Sequence, residues 1–101
     1  MTLKSVSIAG RRIPVRTRDF GGDPYGQYLP DERVIELDRL TWADPKLLRE
    51  TLRHEMMEAT LFLSGIGWSV AYEQEPIVRA IDEIFWPAWE RADARLRSMG
   101  V

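Results

Sequence analysis

Within the run Leu52-Arg53-His54-Glu55-Met56-Met57-Glu58-Ala59-Thr60-Leu61, His54 and Glu58 stand four residues apart. On a helix both side chains leave the same face one turn apart, the spacing at which two protein ligands grip one metal ion. His54 is the only histidine in the chain, so any imidazole chemistry passes through it. Glu55 lies about 100° around the helix from His54, close enough to reach a water on that metal without ligating it. A metal lowers the pKa of such a water and the neighbouring carboxylate takes its proton, which is the work of a general base. A third ligand has to come from elsewhere, and Glu73 and Glu75, just before the next helical segment, are the candidates. Glu75 alternatively serves only to cap that helix, where a carboxylate is favoured. The plainer alternative for the whole group is a solvated His54–Glu58 pair on a helix surface.

The elements that must carry these residues follow from local signals. Val6 and Ile8, then Ile13, Val15 and Thr17, alternate with polar neighbours around Gly10, which reads as two strands and a turn. Gly21-Gly22-Asp23-Pro24-Tyr25-Gly26 is a loop. Gln27-Tyr28-Leu29 and Arg33-Val34-Ile35-Glu36-Leu37 flank Pro30-Asp31-Glu32, which predicts a second hairpin. Asp44-Pro45 starts a helix through Leu48, Leu52, Met56, Ala59 and Leu63, ending near Ser64 with Gly65 beyond. Glu75-Pro76 starts another through Ile77, Ala80, Ile81, Ile84 and Phe85, and Pro87 predicts a kink or break near Trp86 before a tail helix. The expected fold is α+β: a small antiparallel sheet of three or four N-terminal strands packed on two or three C-terminal helices, as one domain over residues 1–101.

With the helix come resemblances. His54-Glu55-x-x-x-Ala59 inside a helix, preceded by Gly26-x-Tyr28 and a strand ending Ile35-x-Leu37, resembles small phage and prophage proteins of the HExxH zinc-metallopeptidase-like kind. The matching stretch runs from about Val6 to Ala94. The resemblance implies a minimal zincin-like fold, with His54 as first metal ligand, Glu55 as general base and Glu73 or Glu75 as third ligand. The second histidine of that motif is replaced by Glu58. One imidazole with two carboxylates is a harder, more acidic donor set, which binds zinc less selectively and also suits manganese or another divalent metal. The expected function is therefore a zinc peptidase-like hydrolase acting on a protein or peptide. The alternative is a degenerate, non-catalytic protein-binding module on the same fold.

Composition narrows the field further. The chain has 101 residues, is 45% hydrophobic and 30% charged, and contains no cysteine, which removes disulfide scaffolds, thiolate metal sites and cysteine nucleophiles. Its longest run without a charge, Ala59 to Tyr72, is too short to span a bilayer, and no secretory leader opens the chain, so a cytoplasmic protein is expected. Residues 1–18 carry five basic side chains and no acidic one. Arg12, Arg16 and Arg18 share strand parity, so a solvated sheet face explains them better than a nucleic-acid surface, for which no aromatic platform is present. Gly67-Trp68-Ser69-Val70-Ala71 has the look of a nucleophile elbow in a chain too short for that fold. Gly21-Gly22 lacks the rest of a phosphate loop. Met56 and Met57 read as packing. The four tryptophans, Trp42, Trp68, Trp86 and Trp89, read as core or as an interface patch near Pro87.

Overall fold

A computed structural model describes residues 2–65, 77 and 80–101. Four strands, β1 (Ser5–Ile8), β2 (Arg11–Arg18), β3 (Gly26–Leu29) and β4 (Val34–Asp38), are followed by a 3-10 turn (Arg39–Ala43) and helix α1 (Pro45–Leu63). A π-helical segment (Ala80–Phe85) runs into helix α2 (Trp86–Ser98). The expected α+β fold is present, and its sheet is mixed, in the order β1-β2-β4-β3. β1 with β2 and β3 with β4 are the two predicted antiparallel hairpins. β4, however, lies parallel to β2, with Val15 opposite Ile35 and Thr17 opposite Leu37. The loop between β2 and β3 carries the chain past the β4 position, so the second hairpin docks with β4 inward and β3 becomes the far edge.

Local chemistry explains the elements. Ala9 and Gly10 both take positive φ, 53° and 74°, the conformation of a two-residue hairpin turn that matches strand twist. Asp44 caps α1 by accepting from the Leu47 N–H at 3.2 Å, with Pro45 in the first turn, and Gly65 at φ 79° lies beyond the Ser64 C-cap. Pro87 falls in the first turn of α2, where its missing N–H is tolerated, and the wider turn of the π segment ends at Phe85.

Inward-facing strand residues (Val6, Ile8, Ile13, Val15, Tyr28, Ile35, Leu37) pack on Leu48, Leu52, Met56 and Ala59 of α1 and on Phe85, Ala88, Trp89, Ala92 and Leu96 across the π segment and α2. Arg49 joins the helices through Asp93 at 2.9 Å. The opposite sheet face is a polar ladder, where Arg16 pairs with Glu32 at 3.2 Å and Arg18 with Glu36 at 3.1 Å. Arg12, Arg16 and Arg18 are exposed, as strand parity predicts, whereas Glu36 beneath Arg18 is only 2% exposed. Among the described residues no helix is long and apolar enough to cross a membrane.

The two sheet edges differ. α2 closes the β1 edge, because Arg91 and Arg95 donate to the backbone carbonyls of Ser7 and Ser5. The β3 edge meets α1 instead, at the level of His54, Glu55 and Glu58.

Candidate metal centre

The apolar stripe of α1 decides where each of the three residues goes. Leu48, Leu52, Met56 and Ala59 are fully buried. Glu55 sits three residues after Leu52 and four before Ala59, inside that stripe, and is only 5% exposed. His54 and Glu58 flank the stripe with side chains 68% and 46% exposed, and His54 Nε2 stands 3.3 Å from Glu58 Oε1. A ligand atom from each of His54, Glu55 and Glu58 falls within 4.8 Å of the other two. The expected pair is thus together, and Glu55 contributes an oxygen to the same cluster. Glu73 and Glu75, the expected sources of a third ligand, lie outside the described residues.

A buried carboxyl needs partners. Glu55 receives the backbone N–H of Tyr28 on β3 and shares a hydrogen bond with Glu58. Burial above all, then the charge of Glu58 and the hydrogen bond to it, together push its pKa up to about 8, with the Tyr28 amide offsetting part of the rise. Below that pH Glu55 carries a proton and donates it to the Glu58 carboxylate. Near neutral pH the pair therefore has one proton to give up, which a divalent cation can replace. A base tuned toward neutrality is also suited to taking a proton from water.

β3 can approach α1 closely because of Gly26. A Cβ there would meet Thr51 Cγ2 at 2.7 Å and the Glu36 carbonyl oxygen at 3.1 Å. Beside the cluster lies an open depression of about 480 Å³ lined by Tyr25, Gly26, Leu47, Glu50, Thr51, His54 and Glu55. The site is thus a helix face and a strand edge with a solvent-open trough between them. Sequence reasoning missed the part played by Tyr28, Gly26 and Thr51. The signal for Glu55 was available, since it occupies a position of the apolar stripe.

The remaining candidates sort plainly. Met56 is core and Met57 packs against it. Trp89 is 7% exposed, with the Arg53 guanidinium 5.9 Å from its ring centroid, while Trp86 is 42% exposed. Trp42 is half-buried and donates from Nε1 to the Thr17 hydroxyl at 3.1 Å. Trp68 and the Gly67–Ala71 run lie outside the described residues. Comparison of the chain with known family models, with curated proteins and with solved structures finds no match in any of the three.

Proposed function

We propose that the protein is a divalent-metal-dependent hydrolase of the peptidase kind, a variant of the phage zinc-metallopeptidase-like proteins it resembles. The observation that carries this reading is the convergence of His54, Glu55 and Glu58 within 4.8 Å at the edge of β3. In it His54 and Glu58 hold the metal, zinc or, given the hard donor set, manganese. The metal supplies Lewis acidity and an acidified water. Glu55, its carboxyl held by the Tyr28 amide, would be the group placed to take a proton from a water on such a metal. The open trough beside the cluster suits an extended chain as substrate.

Elemental analysis of untagged protein loaded with zinc or manganese tests this reading. One metal per chain, lost in His54→Ala and retained in Glu55→Gln with peptide hydrolysis abolished, is the expected result. No bound metal after loading would overturn it. The exposed Trp86 favours a second reading, a non-catalytic protein-binding module. That module would stay folded and equally stable with or without chelator, and would hydrolyse nothing.

A further inference from the structure

At the C-terminal end of α1, two turns beyond His54, a second and more enclosed cavity of about 130 Å³ opens between Phe62 and Leu63, Tyr28 of β3, Pro30 and Arg33 of the β3–β4 turn, and Arg11 at the start of β2. Its apolar wall is the Tyr28–Phe62 ring pair, with centroids 5.9 Å apart and planes tilted by 42°. Its polar lining comes from Arg11, Arg33 and Tyr28, and among the described residues no acidic residue lines it. Elsewhere Arg16, Arg18, Arg39, Arg49 and Arg97 each hold a carboxylate. Arg11 and Arg33 have no ion-pair partner among the described residues.

Two further observations mark this cavity as built for an anion. Tyr28 is only 7% exposed, and Arg33 and Arg11 line the same cavity, where their positive charges act on its phenol. Burial raises the phenol pKa, which keeps it a neutral hydrogen-bond donor. Arg33 is also held at φ 55°, a left-handed position that glycine or asparagine adopts more easily, with its N–H on the Leu29 carbonyl at 2.7 Å. A planar guanidinium matches a carboxylate with two parallel hydrogen bonds, and two of them with a phenol saturate it.

We propose that Arg11, Arg33 and Tyr28 form a carboxylate-binding subsite for the peptide that lies along β3, a proposal that rests on the reading of the His54 cluster as a peptide-processing site. Tyr28 links the two places, with its amide on Glu55 and its ring in the cavity wall. Eight helical residues separate His54 from Phe62, about 12 Å at the rise of an α-helix. An extended peptide covers that distance in about three to four residues. The subsite therefore selects a peptide with a carboxylate three to four residues away from the bond at the cluster. That carboxylate is either the free C-terminus or an aspartate or glutamate side chain.

The test uses metal-free, untagged protein and fluorescence anisotropy, so it is independent of whether the cluster binds metal. Three N-terminally labelled apolar pentapeptides are compared: the free acid, its C-terminal amide, and the amide with glutamate as its last residue. The free acid or the glutamate peptide is expected to bind at least tenfold more tightly than the neutral amide, and whichever does so identifies the source of the carboxylate. Arg11→Gln and Arg33→Asn, both at exposed positions, are each expected to remove most of that preference. Equal binding of all three peptides overturns the proposal, as does a preference that survives in the Arg11→Gln/Arg33→Asn double variant. Tighter binding of a phosphoserine-bearing amide than of either carboxylate overturns the choice of ligand. A protein that shows the carboxylate preference but takes up no metal keeps the subsite and loses the hydrolase.

Discussion

Glu55 and Glu58 are three residues apart on one helix, yet one is buried and the other half in solvent, and this difference sets their chemistry. In the unfolded chain Glu55 ionises near 4.5, whereas in the fold it keeps its proton to about 8. Between those values the folded state holds a proton that the unfolded state has released, so stability falls as pH rises from about 4.5 to about 8. The steepest slope is about 1.4 kcal/mol per pH unit. Glu55→Gln cannot titrate and keeps the shape, so its stability should stay flat across that window. Denaturant melts of metal-free protein at pH 5 and pH 9 should show wild type losing a few kcal/mol relative to the variant; parallel pH curves would count against a raised Glu55. The His54–Glu58 pair is too exposed to matter much for stability, about 0.5 kcal/mol or less. In the proposed metal centre its role is that of a ligand pair. Glu58→Gln should therefore lose metal, and Glu58→His should raise zinc affinity by substituting a second imidazole. Equal zinc binding by wild type and Glu58→Gln would remove Glu58 from the ligand set.

At the scale of elements, the site depends on how closely β3 lies against α1. That separation is set by one missing methyl group at Gly26 facing Thr51. Gly26→Ala should cost about 1–3 kcal/mol through overpacking and should weaken metal binding by drawing the Tyr28 amide away from Glu55. Adding Thr51→Ser removes the clashing Cγ2 and should recover part of both losses. A double-mutant cycle with no coupling between the two positions would show that this contact does not set the spacing. The position of α1 also rests on its cap, and Asp44→Ala should cost about 1 kcal/mol, read as a lower unfolding midpoint with metal stoichiometry unchanged.

Across the whole molecule, α2 holds α1 from behind and closes the β1 edge, which leaves β3 as the edge beside the cluster. Asp93 is central to this, with Arg49 at 2.9 Å and Arg97 at 3.0 Å. Arg49 also donates to the Val101 carbonyl. Asp93→Ala leaves the half-buried Arg49 without its carboxylate and should cost about 1–3 kcal/mol, measured by thermal or denaturant unfolding. An unchanged midpoint would mean that solvent or the Val101 carbonyl compensates fully.

The sequence alone determined what depends on neighbours within one element. The Asp44-Pro45 start, the Gly65 stop, the break at Phe85–Trp86, the hairpin turn at Ala9-Gly10 and the four-residue spacing of His54 and Glu58 are local, and each is legible from residue type and period. The strand parity that put Arg16 and Arg18 on the open sheet face is local too. Tertiary structure decided the rest, because it concerns groups far apart in the chain. Insertion of β4 between β2 and β3 made the sheet mixed and set β3 on its edge. That placement brought the Tyr28 amide to Glu55, 27 positions away, and Arg11 to the same cavity as Arg33. No period or motif encodes such pairings. They arise because an inward-facing apolar side chain can be buried only where another element covers it, and the polar groups carried with it must then find partners in whatever lies alongside.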